Sequence, residues 1–231
     1  MSTTIKEEVL TALNLKDPFD GFQKKEGVKL WGWNGDSPIF KYLIDQVKPK
    51  LIVEVGSWMG QSACTMGMHL KNTNMNAAVI CIDTWLGSKE HWTDMNFRNF
   101  LELENGYPQF YKNFLTNVVN QEVQDYIIPI PLPSSIGAEL LKDLNVKADM
   151  IYIDGSHAYK DVLDDLNNYW ELLNPHGGII FGDDWPWDSV SGAVKEFCRE
   201  KNINFQVGGI NWIIQRNDPV INTDFSNVKL I

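Results

Sequence analysis

Five carboxylates stand at the ends of apolar runs in this chain: Glu54, Asp83, Asp154 and the neighbouring pair Asp183 and Asp184. The runs are Leu51-Ile52-Val53, Val79-Ile80-Cys81-Ile82, Met150-Ile151-Tyr152-Ile153 and Ile179-Ile180-Phe181-Gly182. Unbroken apolar stretches of that length read as strands covered on both faces, and ligands of open α/β sheets gather at strand carboxyl ends. On adjacent strands, Asp154, Asp183 and Asp184 come close enough to raise one another's pKa unless a cation compensates them. An all-oxygen set of this kind suits Mg²⁺, Mn²⁺ or Ca²⁺ rather than zinc. A metal held there would bind an acceptor hydroxyl, lower its pKa and fix its direction. His157 follows Asp154 by three residues and, with an ordinary pKa of about 6.5, is the histidine best placed as general base. A cap on the turn before Tyr159 is the competing reading for it. Single acids after strands also serve as helix N-caps, so it is the convergence of several that points to chemistry.

A second constellation surrounds Glu54-Val55-Gly56-Ser57-Trp58-Met59-Gly60. Gly56 and Gly60 let backbone approach a ligand without a Cβ in the way, and the helix that follows aims unpaired N–H groups at it. The third glycine of a dinucleotide fingerprint and the Gly-Lys-Ser/Thr of a phosphate loop are both missing. Asp83, ending the second strand, is placed to accept both ribose hydroxyls of an adenosine-containing cofactor. Glu54 beside the turn repels a pyrophosphate but tolerates an ammonium or sulfonium group. The electrostatics favour S-adenosylmethionine over NAD.

The elements that must position these groups follow from periodicity. Strands are expected at 51–55, 78–83, 126–130, 149–154, 178–183, 203–208 and 211–215, with helices at 61–71, 97–118, 135–144, 159–173 and 189–201 between them. Residues 4–15 form a short amphipathic helix, Phe19–Pro38 a loop or lid, and Ser37-Pro38 opens a helix that Lys48-Pro49 stops. Strand–helix alternation predicts an α/β doubly wound, Rossmann-like sheet of seven mostly parallel strands. A Gly208-Gly209 connection makes its last two strands a hairpin, so one runs antiparallel. Residues 1–47 are expected to be a helical lid segment and 48–231 the catalytic domain.

The composition narrows the partners. The chain has 231 residues, 44% apolar and 22% charged, long enough for a substantial core. A net charge of −10 argues against nucleic acid, whose phosphates need a cationic face. The three cysteines, Cys64, Cys81 and Cys198, have no metal or disulfide spacing and read as buried thiols. No apolar stretch reaches membrane-spanning length and no leader pattern is present, so cytoplasmic residence without membrane association is expected. Nine tryptophans are many for this length, and those in loops suit the wall of a ligand site. The segment Trp85–Trp92, with His91, could fold over that site. Asp161, Asp164 and Asp165 read as the wet face of a helix, and His69 as structural.

Together these motifs resemble class I S-adenosylmethionine-dependent methyltransferases. Glu54–Ser62 resembles their first motif. Asp154-Gly155-Ser156-His157, Leu172–Gly178 and Gly182-Asp183-Asp184 resemble methyltransferase family 24, the group of macrolide and aminocoumarin sugar O-methyltransferases and cephalosporin hydroxylase-like proteins. Catechol O-methyltransferases are more distant relatives. The resemblance spans residues 48–215 and implies roles by position. Glu54 and Gly56 would hold the methionine part of the cofactor, with Ser57, Trp58 and Gly60 shaping the turn. Asp83 would bind ribose, Trp85 would pack beside adenosine, and Ser134 or Ser135 would contact adenine. Asp154, Asp183 and Asp184 would bind Mg²⁺, with Asp154 also bordering the cofactor and joining His157 as the catalytic pair. The implied activity is metal-dependent methyl transfer to a hydroxyl of a small molecule, a sugar or other natural product. A homo-oligomer is compatible with it. An NAD-type oxidoreductase and a non-catalytic nucleoside-binding module remain as alternatives.

Overall fold

The structure, a computed structural model, describes residues 3–216. The last stretch of the expected catalytic domain, 217–231, lies outside the described residues. Seven strands form one sheet in the order β3-β2-β1-β4-β5-β7-β6. β1 (Leu51–Val55) pairs parallel with β2 (Ala78–Ile82) and β4 (Met150–Ile153), β2 with β3 (Ile127–Ile130), and β4 with β5 (Ile179–Gly182). Every residue of these five strands is buried, as their mostly apolar sequences require, Glu54 being the one charged residue among them. Pro129 cannot donate a ladder hydrogen bond, and it sits on β3, paired on one side only. The strand order reverses between β1 and β4, and the crevice at that switch point is where a ligand belongs.

β7 (Asn211–Gln215) runs antiparallel to both β5 and β6 (Phe205–Gly208). The hairpin loop is Gly209-Ile210 rather than Gly208-Gly209, because Gly208 still pairs with Asn211. Gly209, at φ +61°, occupies the first central position, where a two-residue hairpin turn of type II′ calls for glycine.

Helices cover both faces. α7 (Ser134–Asp143), α8 (Tyr159–Trp170) and α9 (Asp188–Lys201) pack on one, joined by Leu10 of α1 (Ile5–Ala12). α2 (Pro38–Val47), α3 (Gln61–Asn72) and α6 (Phe110–Asn120) pack on the other, where Ile39, Phe40, Leu43 and Ile44 are fully buried. α2 starts where expected, Ser37 accepting from Ile39 N and Lys48 closing it at φ +52°.

The helix expected over 97–118 is broken. α4 (Lys89–Thr93), α5 (Met95–Arg98) and a 3₁₀ turn at Asn99–Leu101 give way to a tight loop bridged between Glu104 and Tyr107 before α6 begins. Glu102, Asn105 and Gly106 take φ of +44°, +50° and +82°, which no helix tolerates. Among the described residues no helix is long and apolar enough to cross a membrane, and all three cysteines are free and buried.

Candidate active site

The turn after β1 is shaped by contact with β4. Gly56 takes φ +85°, and a Cβ there would lie 2.1 Å from the Asp154 carbonyl oxygen. Gly60 caps α3 at φ +86°, against the Phe114 ring. Between them, Ser57 N and Trp58 N donate to Asp83 Oδ2 at 3.0 and 2.8 Å, and Trp85 N donates to Asp83 Oδ1 at 2.7 Å. Asp83 therefore binds the turn to the end of β2 and brings the two cofactor motifs into contact.

Glu54 lies beneath this turn with no exposed surface. Both its oxygens are occupied, by the Ser57 and Ser62 hydroxyls at 2.5 Å each. Burial pushes its carboxyl up to about 7 despite those two donors. The direct cofactor contact expected of Glu54 is thus replaced by support of the turn from below. Trp85 is also corrected: it is 2% exposed, sits 4.9 Å from both Tyr111 and Phe114, and donates its Nε1 to Trp58 O. Its side chain belongs to the core and is not free to lie along an adenosine. Ser134 opens α7, its carbonyl accepting from Tyr169 Oη at 2.7 Å. Ser135 follows it on the first turn of the same helix. Behind Ser134 lies Asp165, which the helix pattern assigned to solvent. It is buried, and burial raises its carboxyl to about 6, with Ser134 as its hydrogen-bond partner.

The acidic centre assembles at the ends of β4 and β5. One ligand atom each from Asp154, His157 and Asp184 lies within 4.8 Å of the others. His157 Nε2 is 2.9 Å from Asp184 Oδ2 and 3.9 Å from Asp154 Oδ1. Asp183 stands outside that group of three: it is 5% exposed, accepts from Asn34 Nδ2 at 3.4 Å and shares a hydrogen bond with Asp154. Asp184, at φ +55°, turns the chain so that two successive carboxylates point differently. Gly182 permits this approach, since a Cβ there would meet Trp212 at 2.5 Å and Ile153 O at 2.6 Å.

The charges compensate in an order that sequence could not show. Burial first, then the facing charges of Asp154 and Asp184, pushes Asp183 up to about 9, and burial raises Asp154 as well, so the Asp154–Asp183 dyad holds a proton between its two carboxyls at neutral pH. Asp154 and Asp184 hold His157 protonated, pushing it up to about 10. At neutral pH His157 is an imidazolium set between the two carboxylates, offsetting one negative charge, not the free base expected of it. The crevice between these side chains measures about 10 Å³, close to the volume of a single water-sized sphere. Asp154, Asp184 and, once it has given up its proton, His157 around such a space fit one divalent cation, and the imidazole nitrogen then admits Mn²⁺ beside Mg²⁺.

A pH dependence follows. Glu54, Asp183 and His157 all titrate above their ordinary values, so each contributes stability that is full below its unfolded pKa. That contribution is lost as pH rises through about 7, 9 and 10 respectively. In chelator, the melting temperature is expected to fall steadily between about pH 5 and 10. Asp183→Asn should remove the part of that fall that runs from the ordinary aspartate range up to about 9. Circular dichroism melts across this range check it, and a rising curve would contradict the assignment.

Aromatic side chains roof the turn. Trp58 lies 4.9 Å from Trp31 and, stacked, 4.9 Å from Trp33, both in the loop before α2. His91 of α4 reaches within 5.9 Å of Trp58, so the segment after β2 does fold over the glycine turn. Trp187, half exposed, stands 4.7 Å from His157. Sequence reasoning missed Asn34 and Trp187. Only the Trp-rich composition of their loops hinted at either. His69 pairs with Asp45 at 2.9 Å and is structural.

A sheet of this order, with a glycine turn at its switch point and an acid closing the second strand, defines a Rossmann-like methyltransferase domain. The chain belongs to methyltransferase family 24, whose model, described as a methyltransferase domain, matches residues 53–185, more than half of its length. A protein of Sinorhizobium fredii (strain NBRC 101917 / NGR234), "Uncharacterized protein y4gI", is 24% identical over 152 residues, covering 65% of this chain. The chain spans only 15% of that relative's length. Among solved structures, CalS11, a TDP-rhamnose 3'-O-methyltransferase of calicheamicin biosynthesis, is 16% identical with a TM-score of 0.55, and 78% of each chain is covered. An O-methyltransferase from Bacillus cereus in complex with SAH is 14% identical with a TM-score of 0.56, covering 94% of this chain and 92% of its own. Both share the fold.

Proposed function

We propose that the protein transfers the methyl group of S-adenosylmethionine to a hydroxyl of a small molecule, a sugar or other natural product, with a divalent cation such as Mg²⁺ at the acidic centre. The observation that carries this reading is the meeting of Asp154, His157 and Asp184 within 4.8 Å, at the strand ends next to the glycine turn. CalS11 acting on a sugar hydroxyl and the SAH complex of the Bacillus cereus protein support it by likeness of fold.

The residues divide the work. Gly56–Gly60 and Asp83 form the cofactor cradle, Glu54 and its two serines hold that cradle rigid, and Ser134 with Ser135 border the adenine end. Asp154 and Asp184 would hold the cation, which when bound lowers the pKa of an acceptor hydroxyl and fixes its direction. The acceptor oxygen attacks the methyl carbon in line with the departing sulfur; the C–S electron pair leaves with the sulfur as S-adenosylhomocysteine. The hydroxyl proton passes to Asp154, whose carboxyl is raised by burial against the opposing pull of His157 and which Tyr152 Oη contacts at 3.1 Å. His157 thereby acts first as a charge partner and only through Asp154 on the proton.

Asp184→Asn, or a chelator, is expected to lower turnover on a panel of hydroxylated acceptors by at least about 100-fold. Calorimetric affinity for S-adenosylhomocysteine should change less than about threefold, within roughly 0.7 kcal/mol. Undiminished turnover in chelator would remove the cation from the reading.

A further inference from the structure

A cleft of about 320 Å³ opens beside the glycine turn, between the loop that precedes α2 and the segment that precedes α6. That size lies at the lower end of the roughly 300–1,000 Å³ of small-molecule sites. None of the five strand-end carboxylates lines it, so it is distinct from the acidic centre, and it adjoins the glycine turn only through Met59. Its walls are preformed. Asn117, 1% exposed, donates to the carbonyls of Met59 at 2.9 Å and Lys29 at 3.5 Å, and Lys25 N donates to Thr116 Oγ1 at 3.0 Å. Helix α6 thus fixes one wall to the other.

The chemistry of the cleft is two-sided. Trp31 and Phe100, stacked at 5.1 Å, make an apolar aromatic wall. Facing it is a hydrogen-bonded network: Asn113, 2% exposed, donates to Glu102 Oε2 at 2.6 Å, and Lys25 Nζ donates to the same oxygen at 2.8 Å. Glu102 is held at φ +44°, a strained value for a non-glycine residue, which sets its carboxylate onto this network. The lining charges, Lys25 and Lys29 against Glu26 and Glu102, cancel. An aromatic wall matches the C–H face of a sugar ring, while carboxylate, amide and ammonium groups match its hydroxyls in both donor and acceptor sense. A flat hydrocarbon would leave the polar side unused, and a phosphate-bearing ligand would meet no net positive charge.

The aromatic wall continues to the reacting groups. Trp31 lies 4.6 Å from Trp33, and the next residue, Asn34, touches Asp183. Three residues of chain from Trp31 to Asn34 span at most about 11 Å. We propose that this cleft is a glycosyl subsite, holding a neutral pyranose ring of an acceptor that extends from the acidic centre along Trp33 and Trp31. The acceptor is then a glycoside or oligosaccharide of at least two rings. This assignment deepens, and rests on, the methyl-transfer reading.

Saturation-transfer NMR and calorimetry with cellobiose, maltotriose and chitobiose test it, with UDP-glucose as anionic comparison. At least one neutral oligosaccharide should bind, at least tenfold more weakly in Trp31→Ala and at least threefold more weakly in Glu102→Gln. Glu102→Gln is isosteric, so it keeps the test meaningful if the tryptophan variant unfolds. Absence of binding by every neutral sugar, binding untouched in both variants, or tighter cleft-dependent binding of UDP-glucose would overturn the proposal. So would Trp31-dependent self-association in sedimentation without sugar binding, which would give this face to a second copy of the chain. S-adenosylhomocysteine titrated into the same samples separates the two failures: retained nucleoside binding without sugar binding sinks the subsite alone. Sugar binding without nucleoside binding leaves a sugar site but overturns its role as part of an acceptor site, together with the transferase.

Discussion

Gly56→Ala is expected to leave little folded protein. The added methyl would lie 2.1 Å from the Asp154 carbonyl oxygen and 2.6 Å from both the Asp154 carbonyl carbon and the Gly155 Cα, all of them backbone atoms that no rotamer change can clear. A left-handed φ of +85° adds strain of about 1–3 kcal/mol for a residue with a Cβ. Clash and strain together should exceed about 4 kcal/mol, a large part of the roughly 5–15 kcal/mol that stabilises a typical domain. Gly106→Ala separates the two contributions, since Gly106 has φ +82° but nothing within 4 Å of the place its new methyl would take. It should cost only the backbone strain. Urea unfolding of both variants checks this. A Gly56→Ala midpoint close to that of Gly106→Ala would mean that the ends of β1 and β4 do not meet as described.

Asp83→Ala should abolish tight binding of S-adenosylhomocysteine. One carboxylate accepts from three backbone N–H groups, and two of them belong to Trp58 and Trp85, which are held at φ +41° and +50°. Bulky side chains rarely adopt such values, so the hydrogen bonds to Asp83 offset the strain of the turn. Alanine would release both tryptophans and dissolve the cradle along with any ribose contact. The expected loss is at least about 100-fold in affinity, or roughly 2.7 kcal/mol. Asp83→Asn keeps one acceptor oxygen and should fall between the two. Calorimetry on folded samples decides it, and alanine within threefold of wild type would refute the role given to Asp83.

Much of this was legible in local sequence. A strand buried on both faces is mostly apolar, so Leu51–Val55, Ala78–Ile82, Met150–Ile153 and Ile179–Gly182 are legible as strands, and the acids at their carboxyl ends, Glu54 within the first, mark one edge of the sheet. The antiparallel end of the sheet was readable from the shortness of its last connection, although the loop lies one residue later than expected. The break after Arg98 is not legible in periodicity, because apolar spacing runs on across Gly106 and Pro108 while Glu102, Asn105 and Gly106 take left-handed backbone that a helix cannot hold.

The chain's pattern alone determined where strands end and which carboxylates reach the ligand edge, because strand burial and turn chemistry are properties of neighbouring residues. Only the tertiary structure decided what those carboxylates do there. Glu54 was sealed under the turn by two serines, Asp183 was buried against Asp154 with its carboxyl pushed up, and His157 became the cation between Asp154 and Asp184. Each outcome depends on burial and on partners from other elements, as when Asn34 reaches Asp183 across 149 positions of sequence. Electrostatic roles follow distance in space, and residue type sets only the range of roles available.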